Sequence, residues 1–288
     1  MAHNTIAIVA DCDDTLAPDT TVQFLTKCGV DAEELFTKDA RKRVQEGWDG
    51  TLAYLYEILQ RTRPGGSLAG LTKARIEEIG RELTFYPGVP DCFSRLKKEI
   101  EEEPDFRSVG IRVEFYVISS GIQELISASA LADVVHSIWA CSFDYDADGH
   151  LLFPKRVISF TDKTRYLYLI QKGKVGSEFD GQPYIVNEPM SHEERPIPFK
   201  NMIYLGDGPS DIPCMSLLQS KQGFVIGILS EGSPYKTWAL GYGRRANVTV
   251  PADFEEGQHG YRQLKQAVVG KANEIRRELA GGAPVPGF

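Results

Sequence analysis

The sequence predicts an α/β fold: a three-layer core around a parallel sheet, with a small helical cap inserted after the first strand. Three observations predict it. Short apolar runs at 5–10, 113–118 and 202–206 read as buried parallel strands, because a strand covered on both faces is apolar throughout rather than alternating. Strand and helix patterns alternate over residues 86–280, the order of a layered α/β domain. Residues 20–85 carry helical patterns and no convincing strand.

Taken in order, the first strand spans about 5–10 and runs straight into acidic residues. Helical patterns follow at Ala32-Glu33-Glu34-Leu35-Phe36, at 52–59 and at 73–79, with Pro64-Gly65-Gly66 breaking the chain between the last two. Phe85-Tyr86-Pro87-Gly88-Val89-Pro90 reads as a turn that starts a helix over about 90–102. A second strand covers 113–118, and a helix is expected over 121–130. Residues 137–153 read as a hairpin around Asp148-Gly149, since Asp-Gly supports tight turns. Helix 162–172 comes next, then a polar loop over 173–200. Strand 202–206, helix 210–219, strands 224–228 and 247–250 and a last helix over about 261–280 complete the pattern. The expected division is a core of 1–16 and 86–280, a cap of 17–85 and a flexible tail of 281–288.

The chain has 288 residues, enough to bury one large core or a core with a smaller domain. Its net charge of −8 argues against broad contact with nucleic acid or an anionic membrane surface. No apolar run approaches the roughly 20 residues that span a bilayer, and the N-terminus lacks the basic region of a signal peptide. The five cysteines are odd in number, widely spaced and without a CxxC pair. That pattern predicts reduced thiols in the cytoplasm rather than a zinc site or disulfide framework.

The chemistry is carried by carboxylates at strand ends. Asp11 and Asp13 follow the first strand, and Asp207 and Asp211 follow the run Met202-Ile203-Tyr204-Leu205-Gly206. Parallel sheets present ligand sites at the carboxyl ends of their strands, so the four acids are expected in one crevice. Like charges about 4 Å apart repel by roughly 4 kcal/mol at an effective dielectric near 20. Such a cluster calls for a cation, and an all-oxygen donor set suits magnesium. A carboxylate such as Asp11 is a workable nucleophile toward phosphorus, and a second one such as Asp13 can act as acid and base. Ser119, at the end of the second strand before Ser120 and Gly121, suits a phosphate oxygen if the helix begins there. Lys163, at the start of a helix with Asp162 as its expected cap, is placed either toward solvent or against the acids. In 206–211, Gly208 is expected to make the sharp turn and Pro209 to open the helix. Asp144-Tyr145-Asp146-Ala147-Asp148-Gly149 resembles the opening of a calcium loop, but position twelve is Lys155 instead of Glu, and a hairpin turn is the better reading. Cys12 reads as a small buried side chain.

These pieces, in this order, resemble the haloacid-dehalogenase-like hydrolase superfamily. Asp11-Cys12-Asp13-Asp14-Thr15 resembles its first motif, Ser119 its second, Lys163 its third, and Asp207 with Asp211 its fourth. The resemblance implies a Rossmann-like core and a magnesium-dependent phosphatase acting on a small phosphorylated metabolite through an aspartyl-phosphate. By the same resemblance Asp11 is the nucleophile, Asp13 the general acid and base, and Lys163 the group that offsets negative charge. Ser119, Ser120, Gly121 and Thr15 would hold the phosphate. Asp11, Asp13 (through its carbonyl), Asp207 and Asp211 would form the metal site, with Asp211 ordering a water or Lys163. The helical insertion and Ser119-Ser120-Gly121 look like the phosphoserine-phosphatase branch. That branch places a substrate-binding Glu shortly after the first motif, where this chain reads Ala17-Pro18-Asp19-Thr20-Thr21. Arg41, Arg43, Arg61 and Tyr54 are further candidates for substrate contact. A phosphotransferase on the same core and a non-catalytic phosphate-binding module are the alternative readings.

Overall fold

The computed structural model describes residues 3–230 and 245–281. Seven strands form one sheet in the order β4-β3-β2-β1-β5-β6-β7. They are β1 (Thr5–Ala10), β2 (Arg112–Ile122), β3 (Ser137–Tyr145), β4 (Leu151–Arg156), β5 (Met202–Gly206), β6 (Phe224–Leu229) and β7 (Val248–Pro251). Every neighbouring pair is parallel except β3 and β4, the predicted hairpin, which pair antiparallel at one edge.

Both faces of the sheet's centre are covered, which is why β1, β5 and β6 are almost wholly apolar. Ile6, Ile8 and Ala10 of β1, with Phe115, Ile203 and Leu205, pack in one core layer with residues of the helices Asp91–Glu102 and His259–Leu279. Ala7 and Val9, with Tyr116, Ile118 and Tyr204, face the other layer, which includes the helices Asp162–Gln171 and Ile212–Ser220. The helical segment between β1 and Pro87 belongs to this second layer. Its Phe24, Leu35, Leu55 and Ile76 lie in the same contiguous core as Ile122, Cys141 and Phe143 of the sheet. Its helices are Thr20–Lys27, a π-helical turn Glu34–Ala40, Arg41–Gln45, Gly50–Arg61 and Lys73–Gly80. The Tyr86 N–H donates to the Leu16 carbonyl at 2.9 Å, so the chain enters and leaves the segment side by side. The segment also touches the hairpin, where the Lys73 N–H donates to the Gly149 carbonyl at 2.8 Å.

The strand order reverses around β1: β2 and β3 lie on one side, β5, β6 and β7 on the other. Ala10 is level with Val117 of β2 and Leu205 of β5. β1 and β5 therefore end together beside the longer β2, at the switch point where open α/β sheets form their ligand crevices.

Three local expectations are corrected. The helix expected from 121 begins at Gln123, because β2 continues to Ile122 through an irregularity between Ile118 and Ile122. Residues 119–121 thus step out of the ladder and are not a helix start. Asp162 is not the cap of its helix; Thr161 occupies that position without a side-chain bond. Gly208 is extended (φ −127°, ψ 175°), a conformation open to any residue. The glycine that matters is Gly206, where a Cβ would lie 2.5 Å from Oδ2 of Asp211. The expected tail lies outside the described residues except for Gly281. All five cysteines are free thiols, and no described helix is long and apolar enough to cross a membrane.

Candidate functional site

Asp11 continues the β1 ladder, its N–H donating to the Leu205 carbonyl at 3.0 Å. The chain then curls. The Cys12 carbonyl accepts from the N–H groups of Thr15, Leu16 and Ala17, and Asp14 takes a left-handed conformation (φ 55°) that Asp tolerates better than most residues. This curl turns Asp11 and Asp13 toward one cavity of about 340 Å³, which Asp207 also lines.

Lys163 is fully buried and donates to Oδ2 of Asp11 (2.6 Å), Oδ1 of Asp211 (2.8 Å) and Oγ of Ser210 (3.2 Å). The acids, not the solvent, hold it. Burial alone would lower its pKa, but the two carboxylates override this and raise it. Asp11 is itself pushed well above the usual carboxylate range, first by burial and also by Asp211 and Asp13, with Lys163 opposing.

Asp211 makes four hydrogen bonds. Oδ1 accepts from Lys163 and from the Tyr204 hydroxyl (2.8 Å), and Oδ2 accepts from the N–H groups of Asp207 (3.2 Å) and Gly208 (3.1 Å). A carboxylate has about four acceptor positions, so Asp211 is saturated. In this arrangement Asp211 braces the turn and Lys163, and its oxygens also lie in the buried acidic cluster.

Asp13 is held differently. Its Oδ1 accepts from both the N–H and the hydroxyl of Thr20 (2.6 Å each), and Oδ2 accepts from Ser119 Oγ at 3.3 Å. Ser119 in turn accepts from the Gly121 N–H at 2.8 Å. It is fully buried behind Asp13, whereas Ser120 and Gly121 line the cavity. The Ser120 hydroxyl is buried without a partner among the described residues. A Cβ on Gly121 would lie 2.7 Å from Oδ2 of Asp13, so any side chain there would push that carboxylate aside. Thr15 also differs from expectation. It is buried away from the cavity and donates to Oδ1 of Asp207 at 3.3 Å, because the curl after Asp11 turns it inward.

The donor set fits a hard divalent cation. Oxygens of Asp11, Asp207 and Asp211 lie within 4.8 Å of one another. Lys163 balances Asp11 and Asp211, but Asp207 is left to be pushed up to about 9 by burial and by the other two acids. Magnesium takes oxygen ligands and usually keeps several waters, and the carboxylates of this cluster are donors of that kind.

Of the other candidates, Tyr54 lines the cavity and its hydroxyl donates to the Ser120 carbonyl. Arg43 pairs with Glu57 and lies over Trp48 and Tyr56, while Arg61 pairs with Glu57 and Asp39. Neither arginine lines the cavity, and neither does Arg41. Asp146 caps its own turn by accepting from the N–H groups of Asp148 and His150, the hairpin reading. Cys12 is buried, and burial first of all pushes its thiol well up. Sequence reasoning missed Thr20, Tyr204 and Ser210. The one signal it had was a hydroxyl-bearing Tyr204 inside an otherwise apolar run.

No protein-family model matches the chain. A curated protein of Borreliella burgdorferi, described only as uncharacterized, is 26% identical and aligns over 92% of this chain and 97% of its own length. Among solved structures, a phospho-aspartyl intermediate analogue of phosphoserine phosphatase superposes with a TM-score of 0.53 at 16% identity, covering 91% of this chain and 99% of that one. A probable phosphoserine phosphatase from Vibrio cholerae gives 0.55 at 13% identity, covering 94% and 67%. A family hydrolase from Salmonella enterica serovar Typhi gives 0.52 at 14% identity, covering 86% and 67%. With its sheet order, its helical layers and these superpositions, the chain has the fold of the haloacid-dehalogenase-like hydrolases.

Proposed function

We propose that the protein is a magnesium-dependent phosphatase that hydrolyses a small phosphomonoester through an aspartyl-phosphate on Asp11. The observation that carries this reading is the pairing of two unlike carboxylates on one cavity. Asp11 is tied to a buried lysine, and Asp13 is held by hydroxyls and a backbone N–H. A carboxylate is a workable nucleophile toward phosphorus, and a second one on the same cavity can act as acid and base.

In the first half-reaction an Asp11 oxygen forms a bond to phosphorus as the bond to the ester oxygen breaks. Asp13 gives its proton to the departing alcohol. In the second, Asp13 takes a proton from water as the water oxygen attacks phosphorus, and the bond to Asp11 breaks to release inorganic phosphate. Thr20 and Ser119 fix Asp13 on the leaving-group side. The unpartnered Ser120 hydroxyl is the cavity group best suited to a phosphoryl oxygen. Asp11, Asp207 and the Asp13 carbonyl would hold magnesium, which supplies neutralisation of charge on the phosphoryl oxygens. Asp211 and Lys163 are positioning residues for that set. Residues 17–85 act as the cap, contributing Phe36, Thr51 and Tyr54 to the cavity. The five free thiols fit a reducing, cytoplasmic setting.

The test is turnover of p-nitrophenyl phosphate with magnesium by the protein and by Asp11→Asn. The variant is expected to lose activity by a factor on the order of 10⁴. Undiminished turnover would refute Asp11 as the nucleophile.

A further inference from the structure

The cavity has a one-sided charge pattern. Its lining includes five carboxylates, Asp11, Asp13, Asp14, Asp19 and Asp207, and among the described residues no lysine or arginine. Lys163 lies buried behind this floor with its charge already matched by Asp11 and Asp211. A divalent cation would offset part of the remaining charge, and a phosphoryl group would add to it. Among the described residues, an ester whose alcohol carries a carboxylate would find no cationic partner on these walls.

The wall toward the helical segment has a different composition. Phe36 and Tyr54 stand with ring centroids 5.6 Å apart at 49°, forming an aromatic corner. Asp13 and Asp19 line the same cavity as Tyr54. Asp19 caps the helix Thr20–Lys27 by accepting from the Val22 N–H at 2.8 Å. Aromatic faces attract ammonium groups within about 6 Å of the ring centroid, and a carboxylate beside them adds charge complementarity. The cavity of about 340 Å³ suits a phosphoryl group with a small organic group attached.

Resting on the phosphatase reading above, we infer that the leaving group is a small amino alcohol. The site takes phosphate monoesters that carry an ammonium or quaternary ammonium group, with Phe36, Tyr54 and Asp19 receiving the cation. It discriminates against esters that carry a carboxylate.

The experiment measures phosphate release by the full chain with magnesium from five esters. Phosphoethanolamine and phosphocholine carry the cation, propyl phosphate is neutral, 3-phosphoglycerate carries a carboxylate, and p-nitrophenyl phosphate reports general competence. The expected kcat/KM for at least one amine ester exceeds that for propyl phosphate by ~10-fold, and 3-phosphoglycerate falls below propyl phosphate. In Asp19→Asn, which keeps a good helix cap, the ratio of amine to propyl ester drops toward one. Phe36→Leu, which keeps an apolar side chain but removes the ring, lowers the same ratio. Turnover of p-nitrophenyl and propyl phosphate with no amine preference overturns this inference and leaves the phosphatase reading standing. A preference untouched by both substitutions overturns the assignment of the cation to this corner. No turnover of any ester overturns the phosphatase reading and this inference with it.

Discussion

The two walls of the cavity are built on opposite plans. On the sheet side, Asp11, Lys163 and Asp211 are buried and bonded to one another, with Tyr204, Ser210 and two backbone N–H groups completing the network. On the helix side, Phe36, Thr51 and Tyr54 present mostly apolar surface, and the Tyr54 hydroxyl bond to the Ser120 carbonyl ties the two sides together. Buried polar groups tolerate little change unless every partner is kept. Apolar wall residues can vary at modest cost. On the proposed function, the difference teaches where each property would reside: reactivity in a closed network at the strand ends, selectivity in a few replaceable side chains facing it.

The contrast can be broken hardest at Lys163. Lys163→Met leaves Asp11 and Asp211 as unpaired buried charges, a loss of ~3–5 kcal/mol. Thermal unfolding should then fall by about 10 °C, and a change under 2 °C would show that the network is not the rigid side. Gly121→Ala comes next. Its added Cβ displaces the Asp13 carboxylate, and kcat should fall about 100-fold with a much smaller change in melting temperature than Lys163→Met causes.

Magnesium sharpens the picture through pH. The Asp207 carboxyl is raised from 3.8 to about 9 in the metal-free protein, by burial first. Its folded pKa lies above its unfolded one, so the stability it contributes is fully present below about pH 4 and is lost as pH rises toward 9. The chelator-treated protein should therefore weaken over that range. Saturating magnesium should raise its melting temperature by about 5 °C at pH 8 and by less at pH 5. Equal gains at both would detach the ion from Asp207. The smallest effect belongs to the helix side. Tyr54→Phe removes one hydrogen bond, about 1 kcal/mol, and is expected to alter KM more than kcat in steady-state assays. A fall confined to kcat would move Tyr54 into the reactive side.

Much of the reactive side was legible in the sequence, because its acids sit at the ends of apolar runs and parallel strands end together at a switch point. Asp11, Asp13, Asp207 and Asp211 are local signals of that kind, and Ser119 and Lys163 follow the same logic. What a linear reading could not reach is the filling of lone pairs. Asp211 is expected at the metal site, ordering a water or Lys163, but its bonds to Tyr204 and two N–H groups are not foreseen. Thr15 and Ser119 have hydroxyls suited to phosphate, yet both are directed at carboxylates by chain curvature that no residue pattern encodes. Gly206 and Gly208 look alike in a string. Only the packed Asp211 side chain shows that Gly206 has no room for a Cβ, while the backbone of Gly208 is extended. Arg43 and Arg61 seemed available because their partners Glu57 and Asp39 come from other turns of the helical segment.

The contact between the segment and the hairpin has a practical consequence for anyone recombining such proteins. Beyond its two covalent junctions, the segment is stitched to the sheet margin by the Lys73–Gly149 hydrogen bond and the Thr72–His150 bridge. A chimera that swaps residues 17–85 alone would strand the turn at 146–150 against a foreign surface. Transplanting the segment together with that β-ribbon would keep the seam intact, two stretches separate in the gene but adjacent in space.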